Sequence, residues 1–130
     1  MLTRSLPDGL GEELVSAART AVGDELRSVT LFTDDDVEQV YLRGDLEADA
    51  DLVGFAETER LGFRSRTDYR DNELGPYRFT IRVFDEGYLT RVIVDDRGVF
   101  VTTDPMARDR FDELATALRE TLAGFEAERA

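Results

Sequence analysis

Three short β-rich runs separated by two tight turns constrain this chain more than any other feature. Tyr77-Arg-Phe-Thr-Ile-Arg-Val83 alternates strictly, sending Tyr77, Phe79, Ile81 and Val83 to one face of a strand and Arg78, Thr80 and Arg82 to the other. Asp85-Glu86-Gly87 reads as a hairpin turn in which the glycine takes a positive φ, followed by a second strand from Tyr88 to Val94. Asp95-Asp96-Arg97-Gly98 turns the chain again into Val99-Phe-Val-Thr-Thr103. Two consecutive hairpins commit this region to an antiparallel meander with one apolar face and one wetter face.

The rest of the chain supplies partners for that sheet. Leu10, Leu14, Ala18 and Val22 fall four apart on one stripe, which predicts a helix from Leu10 to Val22 ended by Gly23-Asp24. Val29 to Thr33 and Val37 to Arg43 predict a hairpin turned by Asp34-Asp35-Asp36. Leu46, Ala50, Val53, Phe55 and Ala56 predict a helix from Leu46 to Leu61, with Gly62 as its cap. Arg64 to Pro76 is a polar connection that Gly75-Pro76 closes. A last helix is expected with Asp104 as N-cap and Pro105 in its first position. Phe111, Leu114, Ala115, Leu118, Leu122 and Phe125 form its apolar stripe, and it frays from Glu126. A stripe of this kind can seam to a partner helix, but core packing against the sheet is the expected use.

The order is thus α-β-β-α-β-β-β-α, an α/β (α+β) sandwich of three helices on a five-stranded, mainly antiparallel sheet. The 130 residues show no repeat and no linker, so residues 1–130 are expected to form a single domain.

Composition states an environment. The chain carries 29 acidic against 16 basic residues, a net charge of -13, and every basic residue is Arg. An apolar content of 42% with eight Phe and four Tyr places it among folded chains despite that charge. An all-Arg, acid-rich composition fits a halophile, since a Debye length of about 3 Å near 1 M salt removes most of the self-repulsion. The N-terminus has no signal-like apolar stretch and no apolar run approaches the ~18 residues of a membrane span, so a cytoplasmic chain without membrane contact is expected. Phosphate backbones are repelled by such a surface, which argues against nucleic acid.

Chemistry is excluded with similar economy. There is no Cys and no His, which removes disulfides, thiolates, imidazole bases and the common zinc sets. Asp34-Asp35-Asp36, Asp49 with Asp51, and Asp95-Asp96 match no calcium-loop spacing and suit turns, so no metal is expected. No phosphate-binding loop occurs, and Gly9-Leu-Gly11 lacks the third glycine of a dinucleotide fingerprint. Ser5, Ser16, Ser28 and Ser65 have no His or Lys to activate them. Neither a cofactor nor an enzyme activity is expected.

Two arginine groups remain as binding candidates. Arg64, Arg66 and Arg70 gather beside Tyr69, a combination suited to phosphate or carboxylate, although Asp68, Asp71 and Glu73 alternate with them and an ion-paired loop explains them equally. Arg78 and Arg82, with Arg91 from the next strand, would form a basic row on the less apolar sheet face. That row would dock an acidic partner or a nucleotide, or else pair with helix carboxylates and lay its stems over Phe84. A protein partner or a homodimer is the expected use of the sheet face or of an exposed edge strand. A small-anion or nucleotide sensor built on the Arg64 to Arg70 loop is the alternative.

The order of elements resembles the roadblock and longin superfamily and, more loosely, profilin-like and PAS-like sheets. That resemblance implies a sheet that dimerises and a scaffold or regulator of small GTPases. At residue level, Leu26-Arg-Ser-Val-Thr-Leu-Phe-Thr33, the segment Gly75 to Phe84 and the segment Gly87 to Thr103 resemble small acidic haloarchaeal proteins of a family of unknown function. No catalytic residue comes with it.

One measurement tests the reading of the charge. The melting temperature should fall continuously as KCl is lowered from 2 M to 0.05 M; an unchanged melting point across that range would show that -13 carries no salt requirement.

Overall fold

The computed structural model describes residues 9–33, 36–47, 58–59, 61, 73–107 and 109–129, with side chains to residue 124. Its elements are α1 (Leu10–Val22), β1 (Leu26–Phe32), β2 (Val37–Leu42), β3 (Thr80–Phe84), β4 (Gly87–Val94), β5 (Arg97–Thr103) and α2 (Arg110–Arg129). The five strands make one sheet in the order β2-β1-β5-β4-β3, with every neighbouring pair antiparallel. Two α-helices lie among the described residues. The helix expected over 46–61 falls mostly outside them, and Thr58 and Glu59 are helical.

Helix α1 has the bounds its apolar spacing predicts, and Leu10, Leu14, Ala18 and Val22 are all buried. Glu12 and Glu13 in its first turn and Arg19 in its last complement the helix dipole. The buried side of α2 is Leu114, Ala115, Leu118 and Leu122, and both helices cover the sheet face that carries Val29, Leu31, Val92, Val99 and Val101. From Leu114 to Leu122 the stripe on α2 is therefore core, as expected; the Phe125 side chain lies outside the described residues. Phe111 contributes at the margin, its ring edge-on to Tyr88 at 4.9 Å between centroids.

The opposite sheet face is buried as well, where a wetter face was expected. Phe32, Leu89, Ile93 and Phe100 form a second cluster there, with Val37 packed against it. The Phe32 and Phe100 rings meet at 6.0 Å and 44°. Ser28 and Thr102 share a buried hydroxyl hydrogen bond of 2.6 Å on the same face. Strand β5 is buried at six of its seven positions, which explains why its sequence runs apolar instead of alternating.

The two hairpins close through two-residue loops, since Phe84 pairs with Gly87 and Val94 with Arg97. Gly87 does not use a positive φ; Asp95 does, at 56°. Gly87 is needed for a different reason: a Cβ there would lie 2.3 Å from the Thr103 carbonyl oxygen. Gly98 has a similar role, because the Phe32 ring lies against it and a Cβ would come within 2.3 Å of Cζ.

Asp104 corrects a second expectation. It does not cap α2, which begins at Arg110. Its N–H donates to the Glu25 carbonyl (2.9 Å) and its carboxylate accepts two bonds from Arg43, at 2.7 and 3.2 Å. Arg43 also donates to Asp45 at 2.7 Å and to the Asp24 carbonyl at 3.0 Å. One guanidinium thus ties together the end of β2, the turn after α1 and the exit of β5. Its hydrogen bonds to Asp104 and then Asp45 hold it protonated well above the usual range, and the same bond holds the Asp45 carboxyl below its own.

The contact between Phe32 and Gly98 can be measured directly. Gly98→Ala should cost about 1–3 kcal/mol in urea unfolding, and much less in a Phe32→Leu background. Equal costs in the two backgrounds would place the strain elsewhere.

Candidate interaction surface

Strand β3 begins three residues later than its alternation predicts, at Thr80 instead of Tyr77. Pairing with β4 runs only from Thr80 opposite Arg91 to Phe84 opposite Gly87. Upstream of Thr80 the chain leaves that ladder, so the alternation no longer governs where side chains go. Phe79 packs with the main core. Tyr77, expected on the same side, instead brings its hydroxyl to Thr80 and Arg91 on the opposite face.

That face holds a buried ion cluster. The Glu59 carboxylate is 1% exposed and bridges two guanidinium groups: Arg82 Nε donates to one oxygen at 2.6 Å and Arg91 Nη1 to the other at 3.0 Å. Arg91, 5% exposed, also donates from Nη2 to Tyr77 Oη at 3.1 Å and Thr80 Oγ1 at 2.8 Å. Burying a carboxylate is costly unless it is paired and hydrogen-bonded, and here both oxygens are engaged.

The candidate residues therefore stand in different situations. Arg82 and Arg91 share one sheet face, and Arg91 is enclosed with its Nη donors spent inside the protein. Arg82 is 42% exposed at the rim of the cluster. Arg78 is exposed, stacked on the Phe79 ring at 5.8 Å, with no ion pair among the described residues. Arg64, Arg66, Tyr69 and Arg70 lie outside the described residues. Glu59 went unnoticed in the sequence because its partners come from 23 and 32 positions away. A glutamate within a helical pattern carries no local sign of burial.

The protein also exposes apolar surface. Among the described residues the exposed large hydrophobics are Leu61, Leu74, Val83 and Phe84, with Val83 at 72% and Phe84 at 47%. Two of the four lie on β3, which ends the sheet and, among the described strands, pairs with β4 alone. The other edge strand, β2, is half-buried along most of its length and exposes no large apolar residue. No group of three acidic residues among the described positions is placed to hold a metal ion. No described helix is long and apolar enough to cross a membrane.

Comparison with known proteins gives the chain a family. A family model described as a domain of unknown function (DUF7522) matches residues 12–123. The chain belongs to that family. No curated protein matches it by sequence. Among solved structures, MglB of Myxococcus xanthus is similar over 96% of both chains, with a TM-score of 0.66 and 12% identity. A roadblock/LC7 domain from Streptomyces avermitilis matches over 94% of this chain and 99% of its own, with a TM-score of 0.58 and 19% identity. An MglB with a tetrameric arrangement matches over 95% of this chain and 98% of its own, with a TM-score of 0.62 and 12% identity. At these identities the likeness is one of fold, and this member of the DUF7522 family has the roadblock fold that its element order resembles.

The ion cluster predicts an asymmetric mutational response. Glu59→Leu alone leaves Arg91 buried without its counter-charge and should cost about 3–5 kcal/mol in urea unfolding. Adding Arg91→Met should recover part of that loss. A double variant no more stable than the single one would contradict the assignment of Arg91 as an internal partner of Glu59.

Proposed function

We propose that this DUF7522 protein is a non-catalytic interaction or regulatory module that self-associates through the outer edge of β3. The observation that carries the proposal is Val83 with its neighbour Phe84, large apolar side chains exposed on a strand whose one neighbour among the described strands is β4. An edge of this kind is a template for another strand, and monomeric proteins blunt theirs. A two-fold axis beside β3 would pair it with the same strand of a second copy and bury the same apolar residues from both sides. Glu59 favours this arrangement by neutralising Arg82, which would otherwise place two like charges across the new ladder.

The roadblock-like fold supports an assembling module, and one similar structure is an MglB in a tetrameric arrangement. The sequence contains no His, Cys or Lys, which leaves few groups suited to general-base or nucleophilic work. A net charge of -13 with Arg as the sole cation supports a halophilic, intracellular setting in which apolar and backbone contacts carry association.

Sedimentation equilibrium in 2 M KCl should give twice the monomer mass for the native chain. The double variant Val83→Glu, Phe84→Glu should sediment as a monomer with an unchanged circular dichroism spectrum. A native chain that stays monomeric at all concentrations, or a variant that still dimerises, would rule out this edge.

A further inference from the structure

A second surface lies on the helix layer, away from β3. The end of α1 sits beside the start of α2, where Arg110 reaches the Ala21 carbonyl at 3.4 Å, and the helices run side by side in opposite senses. Between them on the solvent side is a groove of about 540 Å³. Its floor is made of Ala17, Ala21 and Ala117, all half-buried. Thr20 also lines it, but its hydroxyl donates to the Ser16 carbonyl at 2.9 Å and is spent on its own helix. Longer side chains at the alanine positions would close this space from within, and the chain places methyl groups there.

The wall on α2 is acidic. Asp112, Glu113 and Glu120 line the groove, are exposed, and form no ion pair among the described residues. The contrast with other carboxylates is direct: Asp45, Asp104, Glu25 and Glu59 each meet an arginine. Glu120 lies about two helical turns beyond Asp112, so the charges extend along the groove. No basic residue lines it among the described residues.

We infer that this groove receives a basic amphipathic helix from a partner protein. A third helix fits the furrow between two others by setting its side-chain ridges into it. An added strand has no ladder to join, because the α1 and α2 backbones are consumed within their helices. Large aliphatic side chains of the partner fill the space above the alanines, while its Lys or Arg residues, about two turns apart, meet Asp112 with Glu113 and then Glu120. A second copy of this chain is the wrong occupant for a helix groove, since α1 and α2 each carry more acidic than basic residues. The site is independent of the β3 edge.

The probes are two synthetic helical peptides with the same leucine face, one flanked by lysine and the other by glutamate. Fluorescence anisotropy is read at the lowest KCl concentration at which circular dichroism shows the chain folded. The lysine peptide should bind saturably and the glutamate peptide should not. Ala117→Leu fills the groove without changing charge and should weaken binding at least about tenfold, as should the double variant Glu113→Lys, Glu120→Lys. If Ala117→Leu fails to fold, Ala17→Leu on the facing helix makes the same test. Absence of saturable binding, equal binding of both peptides, or full binding by the filled-groove variant would overturn the inference, the last by reducing it to charge adsorption. The Val83→Glu, Phe84→Glu chain should bind the lysine peptide like the native protein, which separates this result from the fate of the dimer.

Discussion

Strands β1, β5 and β4 are buried on both faces, and the remaining structure is arranged to make that burial hold. On one side the helices supply Leu, Ala and Val side chains against Val29, Leu31, Val92, Val99 and Val101. On the other, Phe32 and Phe100 sit with Leu89 and Ile93. Each fully buried Leu or Phe contributes about 2 kcal/mol, and a slip of one residue in any central strand would exchange the two sets of side chains. The aromatic layer fits only because Gly98 leaves room beneath the Phe32 ring. Packing shape, more than hydrophobicity alone, holds the register of β1 against β5.

Charge is handled by location. Inside, the one buried carboxylate among the described residues, Glu59, is enclosed between two arginines, and Tyr77 and Thr80 accept further hydrogen bonds from Arg91. At the sheet end, Arg43 joins three segments through Asp104, Asp45 and the Asp24 carbonyl. Both clusters use the planar guanidinium to reach several acceptors at once, which an ammonium group does less well. The other described carboxylates are not buried, and their charge sets solubility and the sign of any partner more than it sets the fold.

Two surfaces remain unusual after this accounting. The β3 edge joins exposed apolar side chains to a strand border that no other described strand covers, a combination that suits a like strand. The furrow between the helices joins small side chains to unpaired carboxylates, which suits a helix of opposite charge. They lie on different layers of the domain, so one chain can present both together.

Local periodicity determined much of this protein in advance. Helix α1, the β3-β4-β5 meander, the β1-β2 hairpin and the core stripe of α2 all follow from spacings within a few residues, because each element is selected by which of its own side chains alternate or recur. What the tertiary structure decided involves partners far apart in sequence. The pairing of β1 with β5 seats the first hairpin beside the meander, and no local signal encodes it. Asp104 has the chemistry of an N-cap but is held by Arg43, and Tyr77 follows a strand pattern but leaves the ladder. Spacing puts Arg78, Arg82 and Arg91 in one row, and Arg82 and Arg91 do share a face; that Arg78 stacks on Phe79 ahead of the strand and that Glu59 bridges the other two has no local signal. A side chain's partner depends on which faces are left to bury once the sheet has closed, and that is settled only when distant segments meet.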